Sequence, residues 1–252
     1  MHIDLTGKTV LVTGASRGIG RGLAEGLAGA GASVAVHYGQ SQAAADELVA
    51  SLGNGSRAFQ ADLADPQACQ RLFADIVEAY GRVDAVVNNA GIALSIPFDG
   101  VGEEWLDAWN RTMAVNLRAV DILSRLAVGH FEEHGGGRLI NVASRAAFRG
   151  DNADSLAYAA SKGGVVALTR SIARAFGKSG VSAFVIAPGW VRTDMAEGHL
   201  EAHGEEGVVN ELALDRLTEP ADLAPLIVLL ASGLADHATG GTFDVNAGSY
   251  VH

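Results

Sequence analysis

Residues 8–20 read KTVLVTGASRGIG, an apolar run that breaks into Gly14, Gly18 and Gly20 and resumes as the amphipathic stretch RGLAEGLAGAG. A strand that passes through glycines into a helix points free backbone N–H groups and the positive end of the helix dipole beyond the strand, and both suit a pyrophosphate. Glycine also lets the turn tighten and the backbone approach its ligand closely. The spacing is G-x-x-x-G-x-G rather than the usual G-x-G-x-x-G, so the turn is a variant of the common dinucleotide fingerprint. Gly14, Ser16, Arg17, Gly18, Ile19 and Gly20 are therefore candidate cofactor contacts.

Outward from this turn, short β-rich runs alternate with longer Ala- and Leu-rich ones. SVAVHY precedes 41–52, RVDAVVNNAG precedes 103–131, GRLINVAS precedes 156–177, VSAFVIAPG precedes 220–233, and GGTFDVNAG closes the pattern. The strand runs are nearly continuously apolar, as burial between two helix layers in a parallel sheet requires. The expectation is an α/β protein with a doubly wound parallel sheet flanked by helices. No linker or repeat interrupts residues 1–252, so they are read as one domain, with the acidic, glycine-spaced segment 192–216 as a candidate substrate lid. In such sheets ligands sit outside the carboxyl ends of the strands.

Composition removes several function classes. A formal net charge of −11 argues against nucleic acid or an anionic membrane as partner, because both are bound through clustered Lys and Arg. The one cysteine, Cys69, has no partner for an internal disulfide, and MHIDLTGKTV lacks a long apolar leader; a reducing cytoplasm is the expected location. The longest apolar stretch, 223–235, is shorter than the roughly 20 residues that span a bilayer and contains Pro225.

The chemistry is concentrated in AYAASK, 157–162. On a helix, Tyr158 and Lys162 lie one turn apart on one face. A phenol ordinarily titrates near about 10, and a fixed cation beside it favours the phenolate. The spacing thus predicts a tyrosine able to exchange a proton with a substrate oxygen. The segment after the second strand, VAVHYGQSQ, offers no carboxylate to accept hydrogen bonds from ribose hydroxyls, whereas Arg17 and Ser41 suit a 2′-phosphate. NADP(H) is the expected cofactor, with NAD(H) possible; His37 has no clear part in that choice.

TGASRGIG, NNAG at 88–91, YAASK and APGWVRTDM at 187–195 stand in the order and spacing of the classical short-chain dehydrogenases/reductases, which the chain resembles over essentially its whole length. The resemblance implies a Rossmann-type fold and an NAD(P)-dependent oxidoreductase acting on a carbonyl or secondary alcohol. It implies Tyr158 as acid/base, Lys162 as its partner and holder of the nicotinamide ribose, Ser144 on the substrate oxygen, and Asn116 beside a proton-relay water. It also implies cofactor contacts from Asp62 and Leu63 near the adenine, from Asn88, Ala90 and Gly91 along the ribose, and from Pro188, Gly189, Val191 and Thr193 near the nicotinamide. A homotetramer built on 103–131, 156–177 and the C-terminal segment is the implied assembly.

Two departures are visible. Fourteen positions separate Ser144 from Tyr158 where many members have thirteen, which predicts a bulged loop over the site. Phe184 replaces a common Asn before the Pro-Gly and is expected to change only packing. Substrate choice should lie in Leu94, Ser95, 145–154, Trp190 and the lid. Leu94, Phe148 and Trp190 suggest an apolar wall, while Arg145 or Arg149 could meet an anion, an exposed loop arginine being the first reading of each.

HFEEH at 130–134 fits an H-x-x-E-H metal pattern and His199 pairs with His203, but a zinc site needs a third ligand and a cleft, and no metal is expected. A non-catalytic dinucleotide sensor would be free to lose Ser144, Tyr158 or Lys162, and all three are present. The nearest broad resemblance is to β-ketoacyl-acyl carrier protein reductases, whose acidic carrier needs basic residues at the entrance. This chain has Glu132 and Glu133 before the strand of Ser144 and Glu197, Glu201, Glu205 and Glu206 in the lid, which favours a small free ketone, sugar or polyol.

Overall fold

The computed structural model describes residues 3–98, 100–194, 196 and 204–251. Seven parallel strands, β1 (Thr9–Val12), β2 (Ser33–Tyr38), β3 (Arg57–Gln60), β4 (Ala85–Asn88), β5 (Gly137–Val142), β6 (Val181–Pro188) and β7 (Thr242–Val245), lie in the order β3-β2-β1-β4-β5-β6-β7. The apolar runs alternate between two cores. Val10, Val12, Val34, Val36, Ile140 and Ile186 face one helix layer, while Leu11, Ala35, Val86, Leu139 and Ala183 face the other. The first layer holds α1 (Gly18–Gly29), α2 (Gln42–Leu52) and, after a short α8 (Glu205–Val209), α9 (Pro220–Ser232). The second holds α3 (Pro66–Tyr80), α5 (Ala119–Glu133) and α7 (Leu156–Phe176), with α4 (Glu103–Met113) leading into α5.

The edge strand β3 and helix α3 were absent from the alternation read above. RAFQ is short and half exposed, so it carries no apolar run. The start of α3 was marked, however, by Asp65, whose Oδ1 accepts from the Gln67 N–H at 2.8 Å, with Pro66 at the first helical position. Layer packing depends on small residues: a Cβ on Gly22 or Gly26 would lie 2.6 Å from Pro220 Cβ or 2.5 Å from Ala224 Cβ. These two glycines let α1 and α9 cross in contact.

Topology also corrects the reading of Glu132 and Glu133. They end α5, immediately before β5, and so lie at the amino edge of the sheet, about 20 Å of strand away from the carboxyl edge. They cannot repel a carrier docking at the active-site entrance. HFEEH is structural as well: His130 Nε2 accepts from the Val83 N–H at 3.0 Å, and the His134 ring is bonded to the His130 carbonyl at 2.7 Å. His199 and His203 lie outside the described residues, as do Glu197 and Glu201 of the lid. No helix among the described residues is long and apolar enough to cross a membrane.

Candidate active site

The connections leave β1 and β4 on opposite sides of their shared boundary, which opens a crevice at their carboxyl ends. The glycine turn follows β1 there. Gly14 (φ +62°) and Gly18 (φ +54°) adopt left-handed backbone, and a Cβ on Gly20 would lie 2.2 Å from the Gly14 carbonyl oxygen. Three polar side chains hold the turn. Thr13 Oγ1 accepts from the N–H groups of Asn89 (2.9 Å) and Ala90 (3.0 Å), and Asn89 Nδ2 donates back to Thr13 O (2.9 Å) and Gly14 O (3.2 Å). From the other side, the Gly14 N–H donates to His37 Nδ1 at 3.0 Å.

His37 is thereby assigned a place the sequence left open. It is buried, its Nδ1 acts as acceptor, and its Nε2 faces the Ala61 carbonyl at 3.1 Å, so the neutral ring with the proton on Nε2 satisfies both bonds. Burial lowers its pKa from 6.5 to about 4. Between those values the unfolded chain takes up a proton that the folded chain refuses, so stability is full above about 6.5 and falls as pH drops toward 4. We predict that His37→Gln flattens this acid limb in a series of melting temperatures between pH 4 and 7. Superimposable pH slopes for the two proteins would contradict it.

The candidate proton-transfer groups stand at the carboxyl edge of β5 and on α7 beside it. Ser144 follows β5, and its Oγ accepts from the Ala146 N–H at 3.1 Å as the chain enters the short α6 (Ala146–Arg149). The Ser144 side chain faces Tyr158, in the first turn of α7, closely enough to lower its pKa. Lys162, one turn on, is buried, donates from Nζ to Val142 O at 2.8 Å and lies 5.8 Å from the Tyr158 ring centroid. Its surroundings correct the expectation drawn from spacing alone. Burial raises the pKa of Tyr158, the Ser144 side chain opposing it, and burial lowers that of Lys162 to about 8. A low-dielectric pocket disfavours both charged forms, so Tyr158 is held as a protonated donor at neutral pH.

Asn116 sits in a π-helical turn, Ala114–Arg118, between α4 and α5, a distortion common at functional sites. It is fully buried and both ends of its amide are engaged: Oδ1 accepts from the Ile92 N–H (2.8 Å), while Nδ2 donates to Ile92 O (2.8 Å) and Ser161 Oγ (3.1 Å). Ser161 Oγ in turn donates to Tyr158 O at 2.7 Å. The Asn116 side chain therefore ties the loop after β4 to the helix of Tyr158. Gly91 lies between these groups: a Cβ there would be 3.3 Å from Lys162 Nζ and 3.4 Å from Asn116 Oδ1.

Arg17 and Ser41 lie exposed at the crevice rim, Arg17 paired with Asp194 at 3.1 Å and Ser41 at the start of α2. Asp62 is half exposed after β3, its carboxylate held by Arg111 at 3.1 and 3.2 Å and by the Ala64 N–H, while Leu63 is buried in the second core. Ile19 packs against the first core. Ser16 is buried within the glycine turn. Asn88 departs from the reading along the ribose: its side chain is buried and donates to Asn141 Oδ1 at 2.8 Å, turning inward across β4 and β5. Pro188 ends β6, a Cβ on Gly189 would strike Asn246, Val191 bridges to Thr218, and Thr193 packs against Gly18. The extra residue between Ser144 and Tyr158 is absorbed by α6 and the following turn, which Asp154 ties to the loop after β4 through Ser95 and the Ile96 N–H. Phe184 is buried beside Phe243, a packing role as expected.

The short chain dehydrogenase family model matches residues 8–203, from β1 through the glycine turn, Ser144, Tyr158 and Lys162. The chain is a short-chain dehydrogenase. As such it is an NAD(P)-dependent oxidoreductase acting on CH–OH groups. This dehydrogenase is 39% identical over 253 residues to L-rhamnose 1-dehydrogenase (NAD(P)(+)) of Sphingomonas sp. (strain SKA58), with 98% of each chain covered. It is 34% identical over 249 residues to the 3-oxoacyl-[acyl-carrier-protein] reductase of Vibrio cholerae, covering 99% of this chain and all of that one. Among solved structures, a putative gluconate dehydrogenase from Agrobacterium tumefaciens superimposes over the full length of both chains with a TM-score of 0.91 at 29% identity. A blue fluorescent protein from a metagenomic library, solved in complex with NADPH, does so at 0.89 and 36%, covering 98% of this chain and all of that one.

Proposed function

We propose that this dehydrogenase moves a hydride between NADP(H) and the carbonyl or secondary alcohol of a small sugar- or polyol-type substrate, with Tyr158 as the acid/base. The observation that carries the reading is the approach of Ser144 and Tyr158 beside buried Lys162, at the strand edge where the glycine turn opens. The turn suits a dinucleotide because Arg17, at the N-cap of α1, makes no side-chain cap, which leaves the helix N-terminal N–H groups for a pyrophosphate. The nicotinamide, when bound, supplies or accepts the hydride. Gly14, Ser16, Gly18, Ile19 and Gly20 would hold its pyrophosphate, Asp62, Leu63, Ala90 and Gly91 its adenosine side, and Lys162, Pro188, Gly189, Val191 and Thr193 its nicotinamide side.

The chain's own part is proton traffic. In reduction the phenol of Tyr158, kept protonated by burial, gives its proton to the substrate oxygen while the Ser144 hydroxyl steadies that oxygen. In oxidation Tyr158 first gives its proton to solvent, and the phenolate so formed, beside Lys162, takes the alcohol proton. Asn116 acts by fixing Ile92 and Ser161, and so the distance between the loop after β4 and Tyr158. The sugar relatives support a sugar- or polyol-type substrate. The carrier-protein reductase remains the second reading, supported by the 34% relative and by the removal of Glu132 and Glu133 from the entrance. A panel of ketoses, sugar alcohols and short ketones, run beside a β-ketoacyl group on carrier protein and on a short thioester, separates them. A carrier advantage of about a hundredfold that disappears at high salt would replace the first reading by the second. The homotetramer is proposed on family grounds, and a monomeric mass by light scattering at micromolar concentration would overturn it.

For the cofactor we expect NADPH to be preferred. The Arg17–Asp194 pair is solvent-exposed and worth at most about 1 kcal/mol, so it gives way to a phosphate. A charge-assisted hydrogen bond to a 2′-phosphate contributes about 1.5–3 kcal/mol, so Arg17→Ala should weaken NADPH roughly 10- to 100-fold and NADH little. Equal kcat/KM for both cofactors in the wild-type enzyme would refute this.

A further inference from the structure

Arg145 follows Ser144 directly and is 5% exposed, against the exposed loop arginine read from the sequence. Its Nη1 is buried and has no hydrogen-bond partner. The contrast with other arginines is informative: Arg111, Arg138, Arg192 and Arg216, all more exposed, each hold a carboxylate within 3.1 Å. Arg145 has no ion pair among the described residues. Its nearest charged surroundings are Arg149, which repels it, and Glu211 and Asp151, which act only at longer range.

The position of Arg145 is nonetheless fixed. Its backbone N–H donates to Pro188 O at 3.0 Å, and its guanidinium carbon stands 5.3 Å from the Trp190 ring centroid. Arg145 is thus joined along the chain to Ser144 and in space to the segment after β6 that carries Trp190. A buried cation without a counterion is costly, and a planar guanidinium with an unused nitrogen is shaped for a carboxylate.

We infer that Arg145 is a specificity-determining residue that binds a carboxylate on the substrate, so that within the sugar- and polyol-type class the enzyme acts on hydroxy or oxo acids. The inference rests on the oxidoreductase reading above. Arg145 touches the substrate's charged end while Ser144 and Tyr158 engage the reacting oxygen. Trp190 limits the guanidinium's swing and covers its apolar face.

The test uses the intact enzyme with NADPH and NADH against 2-oxo and 5-oxo acids of three to six carbons, each paired with its own methyl ester. The wild-type enzyme is expected to favour the acid by tenfold or more in kcat/KM. In Arg145→Met the ratio should fall to about one, through KM, and in Arg145→Lys an intermediate preference should survive. A second readout separates binding from packing. Removing an unpaired buried charge should leave the melting temperature of free Arg145→Met equal to or above that of wild type. Turnover without acid preference in the wild type, a preference retained in Arg145→Met, or an Arg145→Met chain that melts several degrees lower or does not fold would each overturn the inference and leave the oxidoreductase reading standing. Absence of turnover on every acid, ester and neutral sugar with both cofactors would remove that reading and this inference with it.

Discussion

Tyr158→Phe is expected to fold, to bind NADPH as wild type does, and to lose about 10²- to 10⁴-fold in kcat, the range over which a positioned general acid acts. The substitution removes one oxygen from a side chain that otherwise keeps its place on α7. The lost group is the protonated donor that burial maintains and that Ser144 orients. Among the described neighbours, Lys162 donates to Val142 O and the Asn116 amide is spent on Ile92 and Ser161. The comparison to make is single-turnover hydride transfer at saturating NADPH, with cofactor affinity measured separately. A variant retaining more than a tenth of kcat would end the acid/base assignment.

Gly20→Ala should be damaging at a different step. The added methyl would lie 2.2 Å from the Gly14 carbonyl oxygen, 2.6 Å from Asn89 Nδ2 and 2.9 Å from Ala15 Cα. Two of these neighbours are backbone, and Asn89 is pinned by its bonds to Thr13 and Gly14, so none is a flexible side-chain end that could move aside. Overpacking of this kind costs about 1–3 kcal/mol, taken from the closed turn and therefore from cofactor affinity as well as stability. Titration calorimetry with NADPH should show roughly tenfold or greater weakening alongside a lower melting temperature. Unchanged affinity and melting temperature would show that the turn is looser than its contacts imply.

How far the sequence reached follows from what kind of interaction each feature uses. The sheet was legible because its strands, buried on both faces, spell continuous apolar runs, and because the glycine turn and the Tyr158–Lys162 interval are local patterns along one chain segment. Strand β3 was missed because an edge strand is only half covered and needs no apolar run.

Features that depend on which distant segments meet were not legible. No local pattern says that His37 on β2 accepts from Gly14, that Asn116 closes on Ile92 and Ser161, or that Asn88 turns inward to Asn141. The sign of the Tyr158 and Lys162 shifts was likewise a tertiary matter: the four-residue interval brings a cation near a phenol, but burial by the surrounding elements disfavours the charged form of each. The same holds for charge at long range. Glu132 and Glu133 look adjacent to Ser144 in the chain, yet a parallel strand carries them to the opposite edge of the sheet, while Arg145 looks exposed and is enclosed by Pro188, Trp190 and its own loop. Sequence by itself determined the fold class and the family and singled out Tyr158 and Lys162 as the candidate pair, because these rest on periodicity and short spacing. Tertiary structure alone decided which charges are buried, which polar groups are already satisfied and which cation is left for a ligand, because desolvation and hydrogen-bond satisfaction are properties of the packed environment.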